Sequence, residues 1–220
     1  SKLGANALLG VSLAACRAAA DSLHRPLYEH IGKIGFGKPS RDHLLPLPMS
    51  NVVNAGKHGG GKLELQEFMI QPVGAKGFGE GLRWIAEIYQ QLRGVLVSKY
   101  GLSMRNVGDE GGFSGPIDKV RDVLDSLIQA TEESGYRPGK EVSIALDAAA
   151  SEFHSAGRYT VEGRPHNAGE LIDMFVQLVD SYPIRSIEDP MSEDDWDGFV
   201  QITKRLGKKV QIVGDDLFVT

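Results

Sequence analysis

Acidic side chains end three apolar runs of this sequence. The run VSIALD ends at Asp147, IRSIED ends at Glu188 and Asp189, and QIVGDD ends at Asp215 and Asp216. Because the carboxyl ends of parallel strands gather at one face of a sheet, we expect carboxylates from the three runs to converge. Strand side chains alternate between faces, so one member of each pair should point inward while its neighbour caps or supports the backbone.

Converging carboxylates restrict the chemistry that such a face can perform. Close negative charges repel, so either one group takes up a proton or a cation lies between them. Oxygen ligands without His or Cys at the strand ends favour a hard ion such as Mg²⁺ or Mn²⁺ over zinc. The alternative is that each acid caps the helix that follows its strand. Three successive acidic strand ends favour the metal site, and Glu188 is not a preferred cap type.

Two glycine-rich segments add further candidate residues. NVGDEGG (106–112) presents Asp109 and Glu110 between glycines that permit close approach of a ligand, with an acidic surface turn as the alternative. NAGKHGGGKLELQEFMI (54–70) places His58 in a glycine-rich loop and Glu67 in an apolar strand. This loop leads into a strand and does not match a nucleotide-binding P-loop, so we expect a lid over a substrate. Glu67 is either buried and functional or lies on a solvated face.

The elements that must position these residues alternate from Leu44 onward between short apolar runs and long amphipathic segments. This pattern predicts an α/β fold built from βα units around a parallel sheet. The segment 151–162 interrupts the pattern and is predicted to form a small hairpin. The predicted strands lie near 44–53, 63–71, 105–109, 142–147, 184–188 and 211–215. The predicted helices lie near 79–99, 117–134, 168–181 and 194–206.

The first residues follow a different pattern. Residues 1–32 are rich in Ala and Leu at helical spacing, and Pro26 is expected to separate two helices. Residues 33–43 combine Gly, Pro and charge, which is typical of a linker. We therefore predict a helical part over residues 1–42 and an α/β domain over residues 43–220.

Composition excludes several classes of protein. The 220 residues are 41% hydrophobic and 24% charged, which is enough for one sizeable core or two modest ones. A net charge of -5 argues against nucleic acid as a main partner. Cys16 is the single cysteine; it suits a reducing cytoplasm and is expected to be a small core residue. The sequence has no apolar stretch of the ~20 residues that a membrane span needs and no secretory signal, so we expect a soluble cytoplasmic protein.

Several long segments resemble those of the enolase family. They occur in the family's order across essentially the whole chain: SKLGANALLGVSLA, LPLPMSNVVNAGKHGGGKLELQEFMI, NVGDEGG, SIEDP and VGDDLFVT. The resemblance implies a small α+β N-terminal domain followed by an enolase-type TIM-like barrel with a ββαα(βα)n start. It also implies reversible, Mg²⁺-dependent dehydration of 2-phosphoglycerate to phosphoenolpyruvate in glycolysis and gluconeogenesis, by a homodimer or a higher homo-oligomer.

The resemblance also implies a role for each candidate residue. Asp147, Glu188 and Asp215 match the family's metal ligands. Glu110 matches the proton donor, Glu67 its partner acid on the substrate side, and His58 the loop histidine that closes over the substrate. His58, Glu67, Glu188 and Asp215 would then surround the substrate. As a proton donor, Glu110 would need a pKa far above the ~4.3 of an unperturbed glutamic acid, which burial and neighbouring carboxylates favour.

The sequence departs from the family pattern at both ends. It starts at SKLGANA, within the expected N-terminal domain, and about six strands are predicted where a closed barrel has eight. The family's base lysine and its phosphate-binding Arg/Ser segment match nothing in these residues. We therefore expect a fragment of a longer enolase that is inactive alone. A non-catalytic binding or scaffold module is the alternative; a sugar-acid dehydratase or racemase would share the metal acids but does not predict KHGGGKLELQEFMI or NVGDEGG.

Overall fold

The computed structural model describes residues 3–37, 43–59 and 62–219. The chain divides into two compact units, Ser1–Leu45 and Pro46–Thr220. The division lies close to the predicted boundary between residues 42 and 43. The linker predicted over residues 33–43 is wrong at its start, because residues 33–36 belong to a helix. Residues 38–42 of the predicted linker lie outside the described residues.

The first unit contains two helices, as the Ala/Leu pattern predicts. Helix α1 spans Ala5–Ser22 and helix α2 spans Leu27–Phe36. Pro26 immediately precedes α2, where its fixed φ suits a helix start, and Gly37 ends the helix in a left-handed conformation. Cys16 is only half-buried, so the prediction of a core cysteine is wrong. Most side chains of α1 are exposed, and Ala20 is the buried residue of this helix.

The second unit is built on a five-stranded sheet in the order β1-β2-β3-β7-β8. Strand β2 is antiparallel to both β1 and β3, whereas β3, β7 and β8 are parallel. The described strands form an open sheet that does not close into a barrel. The strands are β1 (Ser50–Asn54), β2 (Glu67–Gln71), β3 (Ser143–Asp147), β7 (Ile184–Glu188) and β8 (Gln211–Val213).

The predicted long helices are confirmed close to their expected bounds. Their apolar faces join the sheet in one core, and the ends of two of them are fixed by capping side chains. Asn167 and Glu170 form a capping box at the start of the helix Ala168–Ser181, and Asp195 accepts the Gly198 N–H at the start of the helix Trp196–Leu206. The helices are α3 (Gly56–Gly59), α4 (Phe78–Tyr100), α5 (Val120–Glu133), α6 (Ala168–Ser181) and α7 (Trp196–Leu206).

The prediction of a strand at 105–109 is wrong. A short 3₁₀ helix covers Leu102–Arg105, and in the following segment Val107 makes a single isolated bridge to Phe113. The N–H of Gly108 donates to the Gly112 carbonyl at 2.8 Å, so NVGDEGG closes on itself as a turn. Glycines and acids favour that turn over an extended ladder. Helices α4 and α5 therefore follow β1 and β2 with no strand between them, in the expected ββαα order.

The predicted hairpin at 151–162 is confirmed and continues into a third strand. Strands β4 (His154–Ser155), β5 (Arg158–Val161) and β6 (Arg164–His166) form a small antiparallel sheet. The buried Tyr159 of β5 donates its hydroxyl to Asp195 at 2.7 Å and accepts the Ser192 N–H at 3.1 Å. These bonds fix the small sheet to the loop that follows β7.

Candidate active site

Three carboxylates meet at the carboxyl ends of the parallel strands. Asp147 ends β3 and Glu188 ends β7, and the two residues are paired across the strands. Asp189 follows directly, and one oxygen from each of the three side chains lies within 4.8 Å of the others. The predicted convergence of Asp147 and Glu188 is therefore present, with Asp189 as the third member of the group.

The electrostatics of this acidic group indicate a need for positive charge. Burial, followed by the nearby Glu188 charge, raises the pKa of Asp147 to about 7. Burial and the charges of Asp189 and Asp215 also raise the pKa of Glu188. Gln66 donates to Asp147 Oδ2 at 3.2 Å and the Ala149 N–H donates to Oδ1 at 2.9 Å. Ionised carboxylates that are buried so close together repel one another, and a hard divalent cation such as Mg²⁺ would offset this repulsion.

Asp215 is placed differently from the prediction. Strand β8 ends at Val213, so Asp215 lies in the turn beyond the strand and not at its last position. It is not a member of the close acidic group formed by the described residues. Its charge still contributes to the raised pKa of Glu188, so the two carboxylates interact. Its role as a metal ligand stays a prediction.

A second group brings together the three predicted catalytic residues. His58 lies in α3, Glu67 begins β2, and Glu110 lies in the 106–112 turn. His58 Nδ1 lies 3.4 Å from Glu67 Oε1 and 3.7 Å from Glu110 Oε1. The Glu67 side chain is only 13% exposed, which excludes the solvated face left open by the sequence. Asn51 of β1 donates to Glu110 Oε2 at 3.1 Å.

The two glutamates of this group share a proton. Burial, followed by a hydrogen bond with Glu110 and the charge of Asp147, raises the pKa of Glu67 to about 9. The same hydrogen bond, with help from Asn51, lowers the pKa of Glu110. Glu67 therefore holds the proton at neutral pH and donates it toward the Glu110 carboxylate. The expectation that Glu110 itself has the raised pKa is wrong, because Glu67 is the more deeply buried of the two.

The two groups form one continuous row along the edge of the sheet. Glu67 is paired with Asp147 across β2 and β3, and Asp147 is paired with Glu188 across β3 and β7. Because β2 runs antiparallel to β3, the first residue of β2 lies at the same edge as the last residue of β3. A proton-holding pair therefore lies next to a group of carboxylates suited to a cation.

Sequence reasoning missed the polar residues that support this row. Asn51 and Gln66 hydrogen-bond to Glu110 and Asp147, and neither was selected as a candidate. The available signal was an amide side chain inside or beside an otherwise apolar strand, in SNVVN and in LELQEF. A buried amide needs a hydrogen-bond partner, so such positions can be searched for next to candidate acids.

The antiparallel strand pair, the parallel strands that follow it and the acidic carboxyl edge define an α/β protein whose candidate site lies at the carboxyl ends of its parallel strands. Residues 42–220 match the family model described as enolase, C-terminal TIM barrel domain, and the chain belongs to this family.

Comparison with curated relatives agrees with this family. The chain is 54% identical to the enolase of Thermococcus gammatolerans, 55% to that of Thermococcus kodakarensis and 52% to that of Pyrococcus furiosus. Each comparison covers 100% of the chain and 50% of the relative. The chain thus spans about half the length of these relatives. Within the described residues, none of the helices combines the length and apolar character that crossing a bilayer requires.

Proposed function

We propose that the protein to which this chain belongs is a Mg²⁺-dependent enolase that reversibly dehydrates 2-phosphoglycerate to phosphoenolpyruvate in glycolysis and gluconeogenesis. The observation that carries this proposal is the continuous row at the sheet edge, where the Glu67–Glu110 pair adjoins Asp147 and Glu188. The relatives that share more than half of the chain's residues bear the name enolase.

The reaction breaks the C2–H and C3–O bonds of the substrate and forms a C=C bond. The C2 proton would pass to the base lysine that the family resemblance implies, which none of the present lysines matches, and the C3 hydroxide would leave as water once it is protonated. Asp147, Glu188 and Asp215 would hold Mg²⁺, which supplies positive charge against the substrate carboxylate as negative charge develops there. The departing hydroxide requires a proton. Glu110, whose side chain is 45% exposed, would deliver the proton that it shares with the more buried Glu67.

His58 is placed to approach the substrate from the loop side of this pair. Its Nδ1 faces both glutamates. The predicted lid includes residues 60–61, which lie outside the described residues. Lys57 of the same short helix contacts Glu152 at 2.6 Å, which links α3 to the segment that follows β3. We propose that His58, Glu67, Glu188 and Asp215 surround the substrate.

We further propose that the full-length protein is cytoplasmic, which fits the single cysteine of these 220 residues. As the family resemblance implies, we propose that it is a homodimer or a higher homo-oligomer. For the 220-residue segment alone we propose no turnover, because none of its lysines matches the family's base. The alternative function is that of a non-catalytic, enolase-derived binding or scaffold module.

The decisive experiment measures phosphoenolpyruvate formation from 2-phosphoglycerate. It uses the full-length protein and this segment, each with Mg²⁺, after chelation and after Mg²⁺ is restored. We expect activity only in the full-length protein, with loss on chelation and recovery on restoration. An inactive full-length protein would contradict the proposed reaction, and activity that survives chelation would contradict the metal requirement.

A further inference from the structure

The carboxylate of Asp189 accepts several backbone hydrogen bonds at the sheet edge. The side chain is buried and accepts backbone N–H groups from three successive residues of the turn after β8. Oδ2 accepts from Asp216 at 2.8 Å and from Asp215 at 3.1 Å. Oδ1 accepts from Asp215 at 3.2 Å and from Leu217 at 3.4 Å. One side chain therefore organises the whole turn that carries Asp215.

These contacts leave Asp189 little capacity to bind a cation. An ionised carboxylate offers about four lone-pair sites. The three N–H groups of residues 215–217 already make four contacts to these sites, because the Asp215 N–H contacts both oxygens. Asp147 differs in this respect, because the hydrogen bonds that it accepts from Gln66 and from the Ala149 N–H come from one side-chain and one backbone donor. Asp189 therefore lies close to the other carboxylates because it holds the 215–217 turn in place, and not because it coordinates a cation itself.

The backbone of Asp189 joins the same segments. Its N–H donates to the Val213 carbonyl at 3.0 Å, and its carbonyl accepts the Ala150 N–H at 3.0 Å. The segments that follow β3, β7 and β8 are therefore connected through this single residue. Each of the three segments carries or adjoins a predicted metal ligand.

The backbone of Asp189 also adopts an unfavourable conformation that other interactions must stabilise. Its φ of 39° lies in the left-handed region, which is uncommon for residues other than glycine and is tolerated best by Asp and Asn. Residues held in such conformations persist when the surrounding structure determines them. The four side-chain contacts and two backbone hydrogen bonds of Asp189 hold it in this conformation.

We propose that Asp189 is a positioning residue of the acidic site, which fixes the 214–217 turn and thereby places Asp215 beside Glu188 and Asp147. This inference rests on the proposed metal site and deepens it: Asp189 orders the ligands without being one. Residues that orient metal ligands in this way typically change metal affinity by about 10- to 100-fold when they are replaced.

The test compares Asp189→Asn and Asp189→Gly with the wild-type full-length protein, using Mn²⁺ alone as the probe. Asn and Gly both tolerate positive φ, so either variant can keep the backbone conformation while losing acceptor capacity. We expect Mn²⁺ affinity, measured by electron paramagnetic resonance, to fall by about 10- to 100-fold. The matched control is Asp194→Asn, which removes the same charge from an exposed position of the same loop and should leave affinity unchanged.

A second measurement separates positioning from coordination. Amide hydrogen exchange of Asp215, Asp216 and Leu217 is followed by NMR in the metal-free proteins. Positioning predicts faster exchange at these amides in both Asp189 variants before any metal is added. Affinity equal to that of the control overturns the inference. Lost affinity with unchanged metal-free exchange also overturns it, since that result identifies Asp189 as a ligand.

Failure of the inference and failure of the proposed function give different results. A wild-type protein that binds Mn²⁺ but forms no phosphoenolpyruvate would contradict the reaction and leave the role of Asp189 intact. A wild-type protein that binds no Mn²⁺ would contradict both.

Discussion

Glu67 shows how a single residue acquires its chemistry from its position. It begins β2, so its side chain lies at the acidic edge and is largely shielded from water. Burial is the largest cause of its raised pKa, and the hydrogen bond with Glu110 adds to it. The pair consequently stores one proton at neutral pH, next to the carboxylates of the candidate cation site.

Replacing Glu110 by Gln should separate the proton function from the metal function. We expect Glu110→Gln to lower dehydration by at least about 100-fold, the usual contribution of a general acid, while Mg²⁺ binding stays nearly intact. Loss of the Glu110 carboxylate should also lower the pKa of Glu67 below about 9, because the Glu110 charge and the hydrogen bond to this carboxylate help to raise that pKa. The measurements are phosphoenolpyruvate formation and ¹³C NMR titration of the Glu67 carboxyl in metal-free protein.

Asp109→Asn is the matched control, since it removes an adjacent charge in the same turn from another exposed side chain. It should change neither activity nor the titration of Glu67. Full activity in Glu110→Gln would remove the proton-donor role from Glu110.

Sequence alone predicted most of the residues at this edge but not the role that each one has. Asp147 and Glu188 follow from their positions as last strand residues, because strand ends fix where a side chain lies. The place of Asp215 did not follow, because β8 stops at Val213 and the next residues turn. The proton's location did not follow either, since it depends on burial and distance, which the sequence does not contain.

At the scale of elements, the site depends on close packing between the 106–112 turn and the end of β1. The Gly112 N–H donates to Asn54 Oδ1 at 2.8 Å, and the Asn54 N–H donates to the Phe113 carbonyl at 3.0 Å. Ser114 donates its hydroxyl to the Gly59 carbonyl at 2.5 Å, which joins the turn to α3. The turn that carries Glu110 and the helix that carries His58 are thus held against one strand end.

Adding one methyl group at this junction should therefore disturb the site. A Cβ at Gly112 would lie 2.6 Å from Asn54 Oδ1 and 2.8 Å from the Asn54 backbone nitrogen. We expect Gly112→Ala to lower the free energy of unfolding by about 1–3 kcal/mol, because the strand backbone cannot move aside. It should also move Glu110 away from Glu67. Chemical denaturation measures the first effect, and the pKa of Glu67 measures the second.

Gly94→Ala provides the same substitution without the crowding. Gly94 lies on the exposed side of α4, and a Cβ there would meet nothing within 4 Å. That variant should be slightly more stable than wild type, by up to about 1 kcal/mol. If Gly112→Ala proves equally harmless, the tight junction is not needed to hold the turn.

Element prediction succeeded where periodicity was long and failed where it was short. Helices α4 and α6 carry several turns of amphipathic pattern and lie close to their expected bounds. The strand predicted over 44–53 begins only at Ser50, since Pro46 and Pro48 cannot complete a ladder. The strand expected at 105–109 depended on very few apolar residues, and local turn bonds outweigh them.

At the scale of the whole molecule, the sheet's topology decides where charge accumulates. The antiparallel start brings the first residue of β2 to the edge at which the parallel strands end. The acids gathered there raise the free energy of the metal-free fold, because burial and mutual repulsion disfavour their ionised forms. Stability of the whole protein should therefore depend on both pH and Mg²⁺.

The dependence on pH has a definite sign. Burial and the Glu188 charge raise the pKa of Asp147 from its ordinary value of 3.8 to about 7 in the folded protein, so between these pH values the folded state keeps a proton that the unfolded chain loses. The contribution of Asp147 to the free energy of unfolding therefore falls as pH rises through this window. The raised pKa of Glu188 acts in the same direction.

Mg²⁺ should reverse this loss, because metal ligands bind in their deprotonated forms. At pH 8, Mg²⁺ at a hundred times its Kd should stabilise the full-length protein by about 2.7 kcal/mol, which is roughly 5–10 °C in Tm for a domain of this size. At pH 5, protonation of Asp147 should weaken binding about 100-fold and leave a shift of ~1 °C. Scanning calorimetry with Mg²⁺ or with KCl at matched ionic strength measures the difference. A shift that is equally large at both pH values, or one that persists in Asp147→Asn, would show that Mg²⁺ acts elsewhere on the protein and not at the acidic edge of the sheet.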